Sequence, residues 1–379
     1  MRRRDFLTKS LIGSLGYSLF PLHSQGSAVG RRLKSRHAGE SAKDHSLYFD
    51  GLSFISENRE DIKESGLSGF IWDVSAVETI NGKYVRPLVP CLKSISKATK
   101  LLAQNDLGIF LATRGSQISE AGEKGLTAVF LQFQSCEPMT QDLELMDVFY
   151  QLGLRILQLT HHSTNPFGGG SIEKEWTGLT DLGFKAVEKM NQLSIVPDLS
   201  HGNESLCFDV LKTSRKPVIV SHTGCRAIVN NARCVTDSVI KGVADSGGVV
   251  GIFSISCWLT NDPVPTVESY VRQLEHVIKV GGIDAVGISN DFTIAGNLEA
   301  KQLGNNTEAA MKMMYPWWKE QAGVLGFDKL PQHYVIPELN NARRFFTIQA
   351  ALEKKGYSSR EIEKIMGGNW IRVLTESLG

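Results

Sequence analysis

Short apolar runs alternate with amphipathic stretches along most of the chain beyond residue 46. The runs are SLYFDGLSF from Ser46, GFIWDV at 69–74, LGIFLAT at 107–113, LTAVFLQF at 126–133 and LRILQLT at 154–160, followed by SIVPDLS at 194–200, PVIVSH at 217–222, GGVVGIFS at 247–254 and IDAVGISND at 283–291. Runs of this kind, rich in β-branched residues, are what strands of a buried parallel sheet look like. Between them LELMDVFYQLG, LGFKAVEKMNQL, LCFDVLKTS and ESYVRQLEHVIKVGG show helical patterning, and the last ends in glycines placed as a C-cap. Strands alternating with helices predict parallel pairing through right-handed crossovers. The fold class expected is therefore α/β. A single (β/α)8 TIM-type barrel over residues 47–379 accommodates these runs better than an open sheet. Residues 298–345 read as an excursion before closing helices over 346–377, where GGNWIRVL supplies a turn and an apolar stripe.

Composition adds little to this and removes several function classes. The 379 residues are 42% hydrophobic and 21% charged, ordinary for a globular chain. A net charge of +1 gives no reason to expect nucleic acid or an acidic membrane as partner. No apolar run reaches the roughly 20 residues that span a bilayer. No GxGxxG follows the first strand and no Walker loop is present, so dinucleotide and nucleotide folds are not supported. There is no GxSxG elbow either.

The N-terminus is a separate object. MRRRDFLTKS, a modest apolar stretch from Leu11 to Leu22 and small residues up to Ala28 read as a twin-arginine export signal over 1–28. Residues 29–46 read as a solvated linker. The expected location is periplasmic or otherwise extracytoplasmic. Six cysteines stand without CxxC spacing; export would let some pair, but small buried residues is the plainer reading.

Three apolar runs close on histidine, at His161, His201 and His222, out of nine histidines in the chain. The carboxyl edge of a parallel barrel is where ligands and metals bind. Adjacent strands lie about 4.8 Å apart, so the side chains of His201 and His222 can converge on one ion such as zinc. A hydrogen-bonded structural role is the competing reading for each histidine alone. Neighbouring strand residues face opposite ways, so of His161 and His162 only the first is expected in the site. Its expected role is to donate a hydrogen bond to a substrate carbonyl or oxyanion. Asp291 closes a strand run and suits a metal ligand or a general acid/base, with an N-cap as the plain alternative. Arg233 could clamp a substrate carboxylate or make a surface ion pair.

The segments LELMDVFYQLGLRILQLTHHSTNP, GLTDLGFKAVEKMNQLSIVPDLSH, KPVIVSHTGCRAIVNNARCVTD and VGISNDF, with GGNWIRVL near the end, resemble the membrane (renal) dipeptidase family of zinc metallopeptidases. The resemblance implies a (β/α)8 barrel with two zinc ions hydrolysing dipeptides. It puts His201 and His222 on one metal, His161 and Arg233 on the substrate, and Asp291 on proton transfer. It also exposes departures. Where the family carries Asp-Gly-His-x-Asp after the first strand, this chain has Asp50-Gly51-Leu52-Ser53-Phe54, and the bridging glutamate falls on Gln134. Leu52, Phe54 and Gln134 thus mark lost ligand positions, Gln134 being at best a weak neutral ligand, with Glu137 a nearby carboxylate in a different register. The expectation is zinc at one ion or none. The chain is then a dipeptidase-like hydrolase with a reduced site acting on a small peptide-like substrate, or a barrel that binds peptide or cell-wall fragments without turnover. A homodimer is left open by the sequence.

Overall fold

Nine short parallel strands build one sheet in the order the hydrophobic runs predict. They are β1 (Tyr48–Asp50), β2 (Leu67–Asp73), β3 (Ile109–Leu111), β4 (Thr127–Phe133), β5 (Leu154–Gln158), β6 (Val196–Asp198), β7 (Ile219–Thr223), β8 (Val249–Ile252) and β9 (Val286–Ile288). The computed structural model describes residues 47–379 except 57, 81–82, 105–106, 174–176, 307, 310, 314–318, 320–322, 324 and 328. The export signal and linker expected over 1–46 lie outside the described residues.

Eight strands run in the order β1-β2-β4-β5-β6-β7-β8-β9. β3 pairs with the first half of β4, from Ile109 opposite Thr127 to Leu111 opposite Val129. β5 takes over from Leu131 onward. β3, the third of the nine runs, is therefore a wedge rather than a ring member. The ends of the ring meet where Gly51 N–H donates to the Ile288 carbonyl at 2.9 Å and Phe54 bridges Thr293, so the barrel is nearly closed. This is the TIM-type architecture the alternation predicts.

Crossover helices include α1 (Leu88–Ala103), α2 (Leu145–Gln151), α3 (Asp181–Leu193), α4 (Glu204–Thr213), α5 (Asp237–Asp245) and α6 (Val267–Gly281), with α7 (Arg344–Lys354) and α8 (Asn369–Leu378) closing the chain. The loops that leave the carboxyl edge are stopped by side-chain caps. Thr180, Asn203 and Thr236 accept from the N–H groups of Gly183, Leu206 and Val239, which starts α3, α4 and α5 at fixed points. None of the described helices is long and apolar enough to cross a membrane.

The two-residue period of a strand divides the barrel interior into layers. Phe49, Ile71, Phe130, Ile156, Val196, Ile219 and Val249 form one buried apolar layer, joined by Trp370 of α8. Trp370 fits because Gly51 and Gly287 leave room: a Cβ on either would lie 2.4 Å from its indole. The indole N–H donates to the Ile288 carbonyl at 3.1 Å. Two residues further along four strands come Gln132, Gln158, Asp198 and Ser221, all buried and polar. The site is built on this second layer. All six cysteines are free and buried, as the plainer reading has it.

Candidate metal and substrate site

Asp198, at the end of β6, is the anchor of the polar layer. It accepts hydrogen bonds from the Ser200 N–H (3.0 Å) and hydroxyl (2.8 Å), from the Ser221 N–H (2.8 Å) and hydroxyl (2.5 Å), and from Gln132 Nε2 (2.5 Å). Burial pushes its carboxyl up from the ordinary value, and the Ser221 and Ser200 bonds oppose that. The serine that precedes each of His201 and His222 is therefore a ligand of this carboxylate.

The same bonds set a tautomer. Ser221 has one hydroxyl proton, and it goes to Asp198. The His222 Nδ1, 2.6 Å from Ser221 Oγ, must then be the donor in that contact. Its Nε2 is left with a free lone pair, 2.8 Å from Nε2 of His201. A carboxylate holding a histidine by its far nitrogen is the usual support of a metal-ligating imidazole. Here a hydroxyl is interposed.

Four imidazoles gather at this point, not three. The expectation that His162 faces away from the site is wrong. β5 stops at Gln158, and His162 has a left-handed φ of 24°, so the alternation of an extended strand no longer applies. Its Nδ1 lies 3.4 Å from Nδ1 of His201. His161 stacks on His201 with centroids 4.1 Å apart, and its ring lies 4.2 Å from that of His162. Ligand atoms of His161, His162 and His201 all lie within 4.8 Å of one another. Burial first, then the guanidinium of Arg233 and, for His161, His162 and His222, that of Arg86, push these imidazoles well below the ordinary histidine value. They are neutral at pH 7, which is the form that binds metal.

Arg233 and Asp291 complete the cluster, and neither takes its plainer role. Arg233 is 2% exposed, so it makes no surface pair. Its Nη2 donates to the His222 carbonyl at 3.0 Å, its Cζ lies 5.1 Å from the centroid of the Phe253 ring, and its Nη1 has no protein partner. Asp291 caps no helix. It sits past β9 at a left-handed φ of 63°, its N–H donates to the Leu52 carbonyl at 2.9 Å, and its Oδ1 is unpartnered. Burial raises its carboxyl to about 7 against the pull of Arg233. His201 is left-handed as well, at φ 65°. Three site residues thus hold a backbone conformation that L-residues avoid, at about 1–2 kcal/mol each.

The remaining candidate positions are buried or held by other groups. Leu52 is fully buried in the apolar layer beneath the site, and Phe54 is buried beside it in the chain. Asp50 is held by the Leu52 N–H and the Ser53 hydroxyl; burial raises its carboxyl to about 7 even with Arg344 3.9 Å away. Gln134, just past β4, turns its Oε1 toward Arg86 Nη2 at 3.4 Å. Glu137 accepts from the Arg86 backbone N–H at 3.1 Å. Sequence reasoning missed His162, Asp198 and Arg86. Asp198 could have been found from the strand period, two residues beyond the inward Val196. Arg86 follows an antiparallel ribbon, Glu78–Ile80 with Lys83–Val85, that carries no periodic signal.

Comparison with known proteins agrees with this fold. The model of the family described as "Membrane dipeptidase (Peptidase family M19)" matches residues 49–311. A dipeptidase of Claviceps purpurea, tcpJ, is 28% identical over 270 residues, which covers 70% of this chain and 55% of that protein. The chain thus spans about half the length of that relative. An amidohydrolase from Pseudomonas aeruginosa shares the fold with a TM-score of 0.74 and 27% identity, over 88% of this chain and 98% of the other. A metallo peptidase from Rhodobacter sphaeroides, solved with a phosphinate mimic of the dipeptide L-Ala-D-Ala, aligns with a TM-score of 0.70 at 19% identity over 87% and 99% of the two chains, a likeness of fold.

Proposed function

The chain belongs to the membrane dipeptidase family, peptidase family M19, and from that premise we propose that it is a hydrolase of small peptide-like amides working with a single zinc ion. What carries this reading is the pair of Nε2 atoms of His201 and His222, 2.8 Å apart, with the second fixed in its ligating tautomer by Ser221 and Asp198. His161 and His162 group within 4.8 Å with His201 and not with His222, so one of them would have to turn toward the His201–His222 pair to supply the third nitrogen usual for a catalytic zinc. The donor set fits one ion. It does not fit two, because Leu52 and Phe54 offer hydrocarbon and the Gln134 oxygen is engaged by Arg86. When bound, zinc lowers the pKa of a water and polarises a carbonyl.

The chain's own groups do the rest. Arg233, with Nη1 unpartnered, holds a substrate carboxylate. Asp291 takes a proton from the attacking water and passes it to the leaving amine. Any of His161 and His162 not on the metal donates to the substrate carbonyl oxygen. The test is a zinc titration of the EDTA-stripped chain followed by a dipeptide panel that includes D-residues at the second position. One equivalent bound, with turnover restored, is expected. Binding below a tenth of an equivalent together with no turnover would overturn the reading.

The hydrocarbon at positions 52 and 54 favours a second reading, a barrel that binds peptide or cell-wall fragments without cleaving them. Leu52→His, Phe54→Asp and Gln134→Glu made together discriminate. If only the triple variant turns over dipeptides that the parent binds, the second reading holds.

A further inference from the structure

Arg86 is a buried cation that the hydrolytic reading does not use. It is 2% exposed, yet among the described residues its guanidinium lies in no ion pair. Its Nε donates to Ser75 Oγ at 2.9 Å and its Nη2 to Gln134 Oε1 at 3.4 Å, while Nη1 has no partner. The nearby acids are turned to other donors. Asp73 Oδ1 accepts from the Ser75 N–H and hydroxyl at 2.9 and 2.6 Å, and Glu137 accepts from the Arg86 backbone. Gln134 is 1% exposed, and its Nε2 is unpartnered too.

Asp73 and Glu137 offset part of the Arg86 charge without bonding its guanidinium, but a buried guanidinium N–H and a buried amide N–H without an acceptor are each costly. Two such donor groups side by side define what is missing: an anion with at least two oxygens. A planar guanidinium fork is matched to a carboxylate. Both groups stand at the carboxyl mouth of the barrel, Arg86 bonded to Gln134 just past β4 and Arg233 bonded to the His222 carbonyl in β7.

We propose that Arg86 and Gln134 form an anion subsite, so that the preferred ligands are small peptide-like amides bearing two carboxylates, one on Arg233 and one on Arg86. The proposal deepens the hydrolase reading and rests on it for the peptide part of the ligand. Calorimetry on the purified chain tests it with Ala-Glu, its neutral isostere Ala-Gln, and glutarate, which carries two carboxylates and no peptide bond. Ala-Glu should bind about tenfold tighter than Ala-Gln. Arg86→Met should reduce that preference to within about twofold, and Gln134→Glu should do the same by occupying the guanidinium from within the protein. Two substitutions of opposite kind guard against one that merely misfolds. Equal binding of the two dipeptides, or a preference that survives both substitutions, overturns the subsite. If neither dipeptide binds but glutarate does, in an Arg86-dependent way, the peptide reading falls and the subsite stands. If none of the three binds, the subsite falls as well.

Discussion

The chemistry of this site turns on where single protons sit. Ser221 gives its proton to Asp198 and so keeps the His222 proton on Nδ1. Ser221→Ala should therefore weaken zinc binding by about 10–100-fold, measured by competition with a chelator, with the fold retained. Asp291 carries a carboxyl raised to about 7 by burial. As a general base it must be ionised, so kcat/KM should rise with pH through about 7. Asp291→Asn should flatten that limb and lower the rate by at least about a hundredfold. A limb that survives the substitution assigns the titration to another group. Single residues were partly legible beforehand. His201, His222, Arg233 and Asp291 could be named because each follows a strand run whose direction fixes the carboxyl edge. His162 could not, because its left-handed backbone cancels the alternation used to exclude it.

At the level of elements, each apolar run of the sequence corresponds to a strand, because a strand buried on both faces leaves an uninterrupted hydrophobic record. The exact ends were less legible. The runs through His161 and His201 continue past the last ladder residues Gln158 and Asp198, since residues at the barrel mouth are buried without being paired. The β3 wedge and the ribbon that delivers Arg86 depend on long-range pairing, which local pattern does not record. The α8 helix was visible as an apolar stripe, but not the use to which it is put. Trp370 fills space that Gly51 and Gly287 vacate, and its contacts come from strands at both ends of the ring. Trp370→Ala should cost about 3–5 kcal/mol in denaturant unfolding, the range for truncating a buried aromatic side chain. A loss below about 1 kcal/mol would mean the barrel closes without it.

Across the whole molecule, a buried polar layer beneath a charged pocket makes stability depend on pH in two opposed ways. Asp50 and Asp291 are raised to about 7, so the folded state holds protons that the unfolded chain has lost above about 4. Their contribution is fully present at low pH and is lost as pH rises through about 7. The four site imidazoles are lowered, so their contribution is present above the ordinary histidine value of 6.5 and is lost as pH falls below it. Between about 4 and 7 the two sets oppose each other, because half of the unfolded chain's imidazoles still hold a proton at pH 6.5. With four imidazoles against two carboxyls, the Tm of the metal-stripped chain should rise from pH 5 to 6.5, and a fall over that interval would contradict the burial assigned to the imidazoles. The central proposal is that the histidines of this barrel hold one ion, positions 52 and 54 carrying Leu and Phe and the Gln134 oxygen being turned to Arg86. Native mass spectrometry of the zinc-reconstituted chain tests it most directly. The account predicts one zinc per chain, lost in His222→Ala; two zinc ions per chain, or one that survives that substitution, would contradict it.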